Sequence, residues 1–269
     1  MQLLTAQKTL REFRQKVKVN FERGHYRIKT VDSAGELEQV FRLRYEVFHR
    51  EFMNKKLPFG VDVDRFDPSC DHLIIIDKRS ERVVGTYRFL STLLSPCFYS
   101  ETEFCLYEFL SRPGTKLELS RACIHRDYRT GQVMHLLWRG LVEYLRHIGA
   151  KYLFGCASIK TMSTREAALV YRYLGQIGAL RDNLHIHPLQ GYRIEGFLDE
   201  IERCESEGEM LSEEELKEAV PPLFGAYLRA GAKVYGTPAI DRDFRCIDFL
   251  TVLDMSDLTR SFERKYVSG

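Results

Sequence analysis

Apolar residues at Leu37, Val40, Phe41, Val47 and Phe48 keep helical spacing behind Ser33 and Glu36, which stand three apart as in a capping box. They predict a helix of about four turns. After a polar, aspartate-rich connection come the unbroken run His72-Leu73-Ile74-Ile75-Ile76, the turn Asp77-Lys78-Arg79-Ser80, and Val83 to Phe89. This is the pattern of an antiparallel hairpin whose first strand is buried on both faces. Leu117 to Ile124 predicts a further strand, Tyr128-Arg129-Thr130-Gly131 a turn, and Val133 to Ile148 a helix with Leu136, Leu137, Leu141, Tyr144 and Leu145 inward. Lys151 to Cys156 is the next strand, and a capping box at Ser163 and Glu166 opens a helix that stops near Gly175. Beyond Gly191 the pattern weakens. Ser212 and Glu215 form another capping box, Pro221-Pro222 ends that helix, 225–236 reads as a short helix and turn, and Ile247 to Leu253 is a late strand returning to the main sheet. The order predicts an α/β fold, a mixed sheet flanked by helices. At the start, Leu3, Ala6, Leu10, Phe13 and Val17 lie on one narrow stripe with bases beside it. That fits either a helix lying on anionic lipid or a terminal helix packed on its own domain.

Composition supports a folded chain: 269 residues, 44% hydrophobic and 29% charged, with no linker, repeat or low-complexity tract. No apolar run approaches the roughly 18 residues of a membrane span, and Lys8 and Arg11 interrupt any signal-peptide core, so a cytoplasmic location is expected. The domain reading is a basic arm at 1–23 and a single domain at 24–262. The seven cysteines are odd in number and none is spaced Cys-x-x-Cys, which argues for reduced thiols. Cys70-Asp71-His72, Cys123-Ile124-His125 and His185-Ile186-His187 lack a second paired cluster, so no metal is expected. Charge is unevenly placed. Segment 199–218 holds ten acids against Arg203 and Lys217, so the overall +2 divides into −8 there and +10 elsewhere. A basic body suits an acidic protein or an anionic membrane surface. No nucleic-acid recognition motif accompanies it.

The chemically informative stretch is Arg129-Thr130-Gly131 running straight into an amphipathic helix. Such a turn presents unpaired backbone N–H groups where the helix dipole favours a phosphate. Around it stand Leu43-Arg44-Tyr45-Glu46-Val47-Phe48, Asp64-Arg65-Phe66-Asp67, Val84-Gly85-Thr86-Tyr87-Arg88, Glu118-Leu119-Ser120-Arg121, His125 to Gly131, Leu136-Leu137-Trp138, and the late Pro221-Pro222-Leu223 and Tyr227 to Ala232. Over roughly residues 40 to 255 this ordered set resembles the GNAT acyltransferase superfamily. Within it, the resemblance is to the ornithine N-acyltransferases of ornithine-lipid synthesis and, more distantly, to the acyl-homoserine lactone synthases. The lactone synthase pattern also expects a tryptophan soon after Val47-Phe48. This chain has Phe52 and Phe59 there, and its one tryptophan is Trp138. The departure favours an amino-acid N-acyltransferase.

The resemblance implies a GNAT fold with a β-bulge and strand splay near 118–124. It also implies a phosphopantetheine thioester as co-substrate, carried by acyl carrier protein or alternatively coenzyme A, and no permanently bound cofactor. It makes Glu118 and Arg121 the catalytic pair, and Arg44, Phe48, Asp64, Asp67 and Arg88 the amino-acid site. Ile124, Arg126, Arg129, Thr130, Gly131 and Gln132 would hold the thioester arm. Tyr171 lies where many GNAT enzymes place a proton donor for the leaving thiolate. Strand alternation alone puts Glu118 and Arg121 on opposite faces, so shared service requires the bulge. Arg126, Arg129, Arg139 and Arg146 offer a basic face to acidic carrier protein. The expected reaction transfers a long 3-hydroxyacyl chain to the α-amine of ornithine or a related amino acid, giving a lyso-lipid on the inner face of the membrane. The alternatives are lactone synthesis and a non-catalytic acyl-carrier or lipid-binding module.

Overall fold

The computed structural model describes residues 2–267, with side chains from Leu4 onward; Leu3, the first member of the N-terminal stripe, therefore lies outside the described side chains. The chain forms two compact units, one of residues up to 98, 117–150 and 264 onward, the other of 99–116 and 151–263.

The first unit contains helix α1 (Gln2–Glu12), strands β1 (Asn20–Arg23) and β2 (Tyr26–Thr30), helix α2 (Ala34–Arg44), strands β3 (Asp71–Asp77), β4 (Arg82–Ser91) and β5 (Lys116–Ile124), and helix α3 (Gln132–Ile148). The five strands pair in chain order, each antiparallel to the next. The β1–β2 hairpin is an addition to the predicted elements. Its strands are four and five residues long, too short for their alternation to stand out among the bases of the N-terminal segment. As expected, β3 is buried on both faces. Its neighbours explain why: Gly140 of α3 lies so close that an added Cβ would stand 2.6 Å from Leu73 Cδ2, and at Gly85 one would stand 2.7 Å from Val133 Cγ1. A second apolar cluster holds Leu37, Val40 and Phe41 of α2 with Ile74, Val83 and Cys123.

Ser33 caps α2 through the Glu36 amide, but the helix does not simply run on to Phe48. From Tyr45 to Phe52 it widens into a π-helical run, which turns Tyr45, Val47 and His49 into the interior. The N-terminal stripe is spent inside the unit: Ala6 and Phe13 are buried, and Leu10 packs against the same cluster. Asp71 anchors the next segment, accepting the Lys16 and Val17 amides at 2.9 Å each and the Tyr144 hydroxyl at 2.9 Å. Among the described residues no helix is long and apolar enough to cross a membrane.

The second unit contains β6 (Tyr152–Ile159), α4 (Thr164–Gln176), α5 (Phe197–Ser206), α6 (Glu213–Ala219), α7 (Pro222–Ala230), β7 (Lys233–Tyr235), β8 (Ala239–Asp241) and β9 (Cys246–Asp254). The late strand β9 is the centre of this unit. It runs antiparallel to β6, from Ile247 opposite Ile159 to Asp254 opposite Tyr152, and also pairs with β7 and β8. The acidic segment 199–218 is two helices, α5 and α6, the latter opened by the predicted Ser212 and Glu215 capping box.

Gly140→Val should lower stability by about 1–3 kcal/mol, because the new side chain must displace Leu73 from a close-packed site. Urea denaturation measures the change; an unaltered midpoint would show that α3 does not press on β3 at this point.

Candidate active site

Strand β5 departs from regular pairing where the bulge is expected. Leu90 stands opposite Glu118 and Arg88 opposite Ser120, but Thr86 stands opposite Cys123, so β5 spends one residue more than β4 over this stretch. Arg121 takes up the difference with φ of +54°, a left-handed conformation that costs a non-glycine residue of order 1 kcal/mol. The cost is tolerated because ion pairs hold the side chain. Arg121 Nη2 donates to Asp64 Oδ2 at 3.3 Å, and its Nε lies 3.6 Å from Asp62 Oδ2.

These contacts belong to a larger network. Arg44 donates through Nε to Asp62 Oδ2 at 2.7 Å and through Nη1 to Asp67 Oδ1 at 2.6 Å. Arg88 donates through Nη1 to both oxygens of Asp64 at 2.7 Å and to Asp67 Oδ1 at 2.9 Å, and through Nε to Ser120 Oγ at 2.9 Å. Asp62 also meets His49 Nε2 at 3.0 Å. Three guanidiniums thus face three carboxylates, joining α2, the connection before β3, β4 and the bulge in β5. Burial opposes the Asp62 and Asp67 charges. The guanidiniums of Arg44 and Arg121 at Asp62, helped by His49, and of Arg44 and Arg88 at Asp67 outweigh it and hold both carboxyls far below the usual range. Asp64 is lowered as well: Arg88 and Arg121 overcome burial and the neighbouring Asp67. Burial drives His72 down to about 3, so this ring is neutral beside the Asp67 carbonyl.

The network sorts the predicted amino-acid site by access. Arg44, Asp67 and Arg88 have side chains no more than 1% exposed and pair with one another away from solvent. Asp64 at 22% and Arg121 at 11% form the open end. Phe48 sits on the π-helical run, half-buried, with its ring 6.4 Å from that of Phe52. Glu118 is 1% exposed, on the same face of the β4–β5 pair as Arg88 and Ser120. Its charge, with those of Asp67 and Asp64, adds to the burial that raises the Cys70 thiol, placing it within electrostatic reach of the network.

Gly131 holds φ of +90° at the N-cap of α3, open space surrounds it, and no side chain caps the helix. The first amides of α3 are therefore presented as the turn predicted. Arg126, Thr130 and Gln132 are exposed beside it. Arg129 is committed elsewhere: its guanidinium binds Glu51 at both Nη atoms and the Ile124 carbonyl through Nε at 3.0 Å. Ile124 is buried at the end of β5, opposite Gly85. Tyr171, in the second unit, packs edge-on to Phe197. The motif Cys70-Asp71-His72 is used up structurally, since Asp71 binds backbone amides and His72 the Asp67 carbonyl. Asp62 and His49 have no part in the sequence reading, and Ser120 enters it only as a member of the segment Glu118 to Arg121. Alternation in Val61-Asp62-Val63-Asp64 puts both acids on one side of an extended segment, and that signal was available.

The sequence profile described as "Acetyltransferase (GNAT) domain" matches residues 43–139, which span the network, the bulge and the turn. The chain is an acyltransferase of the GNAT class. It is 31% identical over 249 residues to the L-ornithine N(alpha)-acyltransferase of Rhizobium meliloti, covering 87% of this chain and 81% of that one. It is 31% identical over 260 residues to the L-ornithine N(alpha)-acyltransferase of Rhodobacter capsulatus, covering 91% and 96%. The chain belongs to the family of these proteins. Among solved structures, the AHL synthase LasI aligns at 14% identity and a TM-score of 0.49, over 92% of this chain and 97% of that one.

Arg44→Met should destabilise the protein by about 3–5 kcal/mol at pH 7, because two buried carboxylates lose their partner. In the wild type, carboxyls with depressed folded values stabilise above the unfolded value near 4 and lose that contribution as pH falls below it. In the variant the orphaned acids take up protons, so the gap between the two proteins should narrow from pH 7 to pH 3. Equal gaps in urea midpoint at both pH values would contradict the assignment.

Proposed function

We propose that this acyltransferase moves a long 3-hydroxyacyl chain from acyl carrier protein to the α-amine of ornithine, giving a lyso-aminolipid. The observation that carries the reading is the β5 bulge, which turns Arg121 onto Asp64, a carboxylate that Arg88 also binds, on the face that carries Glu118. The names of the relatives support ornithine as acceptor.

An amine attacks a thioester only when neutral, and its proton must leave as the C–N bond forms. Glu118 takes that proton, directly or through one water. Asp64 and Arg121, the open end of the network, orient the acceptor's charged groups. The C–S bond then breaks and the phosphopantetheine thiol leaves. The open amides after Gly131, with Arg126, Thr130 and Gln132, suit its phosphate. No permanent cofactor is needed.

A carrier-protein donor fits a groove of about 490 Å³ in the first unit, lined by Lys18, Arg23, Arg139, Arg146 and His147. Lys18, Arg23 and Arg139 form no ion pair among the described residues, and Glu143 offsets only Arg146. Attraction to an anionic membrane would rest on such bases rather than on insertion, because the apolar stripe of α1 is packed inside.

Incubation of the purified protein with 3-hydroxyacyl carrier protein and a panel of amino acids should give N-acylornithine by mass spectrometry; absence of any N-acylated product would overturn the reading. Glu118→Gln should lower kcat by about 100-fold or more while carrier-protein binding persists, and full turnover would reject Glu118 as the base. Arg23→Glu with Arg139→Glu should raise KM for the carrier-protein donor about tenfold with kcat nearly unchanged. An unchanged KM would move the docking surface elsewhere.

A further inference from the structure

The transfer proposed above uses none of the buried acids of the second unit. Glu103, Asp241 and Asp248 are 1%, 5% and 3% exposed, and no lysine, arginine or histidine pairs with any of them among the described residues. They come from distant parts of the chain. Glu103 precedes the short strand Phe104–Cys105, Asp241 ends β8, and Asp248 lies in β9, where Cys246 stands opposite Asp241. Unpaired carboxylates this deep are expensive unless protons or a cation offset their charge.

Hydrogen bonds fix one oxygen each of Asp241 and Asp248. Asp241 Oδ1 accepts the Asp243 amide at 2.8 Å and the Phe244 amide at 2.9 Å, which leaves Oδ2 unused. Asp248 accepts the Ser158 hydroxyl at Oδ1, while Cys246 Sγ lies 3.6 Å from its Oδ2. Glu103 Oε1 is buried with no hydrogen-bond partner, its Oε2 lies 3.7 Å from Cys156 Sγ, and its carboxyl meets the side chains of Asp248 and Tyr99. One donor atom each from Asp241, Cys246 and Asp248 falls within 4.8 Å of the others.

We propose that Asp241, Cys246 and Asp248, with Glu103 as fourth ligand, form a site for a divalent ion of the zinc class. A thiolate among carboxylates suits zinc, whereas calcium and magnesium take oxygen alone. Zinc–oxygen bonds of about 2.0–2.2 Å and a zinc–sulfur bond of about 2.3 Å require only a small closing of the 241–246 turn. On binding, the Cys246 S–H bond breaks, its proton leaves to solvent and a zinc–sulfur bond forms. Ser158 and the Asp243 and Phe244 amides hold the outer oxygens, as partners beyond the ligands do in metal sites. An alkylammonium, the other cation that three acids would hold, gains nothing from a thiol and needs an opening for its carbon chain. The ligands were invisible as a sequence motif because the fold, not local spacing, assembles them.

The test uses the full chain with exposed Cys97 replaced by serine, to remove an adventitious thiol. After treatment with a chelator, loading with zinc chloride and gel filtration, plasma mass spectrometry should count about one zinc per chain. Retention should fall at least tenfold in Asp248→Asn and Cys246→Ser. Should either variant fail to fold by circular dichroism, X-ray absorption on the loaded parent decides: a sulfur shell near 2.3 Å supports the site. Nitrogen and oxygen neighbours alone overturn it, as does loss of zinc on the column or equal retention in folded variants. Stabilisation by 1,4-diaminobutane that Asp248→Asn abolishes, with no zinc retained, would assign the cluster to an ammonium instead. Neither result depends on whether ornithine is the acceptor.

Discussion

The first unit is organised by a buried set of guanidinium–carboxylate pairs. Arg44 comes from a helix, Asp62, Asp64 and Asp67 from an irregular connection, Arg88 from a central strand and Arg121 from a bulge. Taking such charges out of water costs several kcal/mol per ion, and only their mutual geometry recovers it. The connection 53–70 has almost no regular secondary structure, so these pairs rather than backbone ladders hold it against the sheet. They also hold Arg121 in a backbone conformation that its side chain would not choose alone.

The proposed chemistry rests on this constraint. A regular β5 would point Glu118 and Arg121 to opposite faces. The bulge changes the phase of the strand, so that the acid and the guanidinium serve one side, next to Ser120 and Arg88. Arg44, Arg88 and Asp67 are closed to solvent, and Asp64 and Arg121 form the more accessible end of the network. A scaffold whose ion pairs are closed to solvent keeps that geometry fixed while acceptor and donor come and go.

Much of this was legible in the residues. The N-cap at Ser33, the capping box at Ser212, the hairpin around Asp77 and the helix after Gly131 follow from local rules and formed where their residues indicated, although Glu36 turns to Lys29 and the Asp32 amide instead of closing a box on Ser33. The bulge was legible as a requirement, from Glu118 and Arg121 standing three apart. Less was legible where long-range pairing decides. The β1–β2 hairpin is short and basic, the π-helical run from Tyr45 depends on tertiary packing, and the role of Asp62 depends on a guanidinium 18 residues away. Arg129 shows the same limit: it stands in the phosphate turn, yet Glu51, 78 residues distant, takes its guanidinium. The buried acids of the second unit converge from positions as far apart as 103 and 248, a distance no local pattern spans.

The proposed acceptor site requires Asp64 and Arg121 to act as one unit that the ion network sets in place. A double-mutant cycle on kcat/KM tests it most directly, with Asp64→Asn, Arg121→Gln and the pair together. Each single change should cost nearly as much as both, leaving a coupling of about 1–3 kcal/mol between them. Losses that simply add would show that the two residues work independently, and would contradict it.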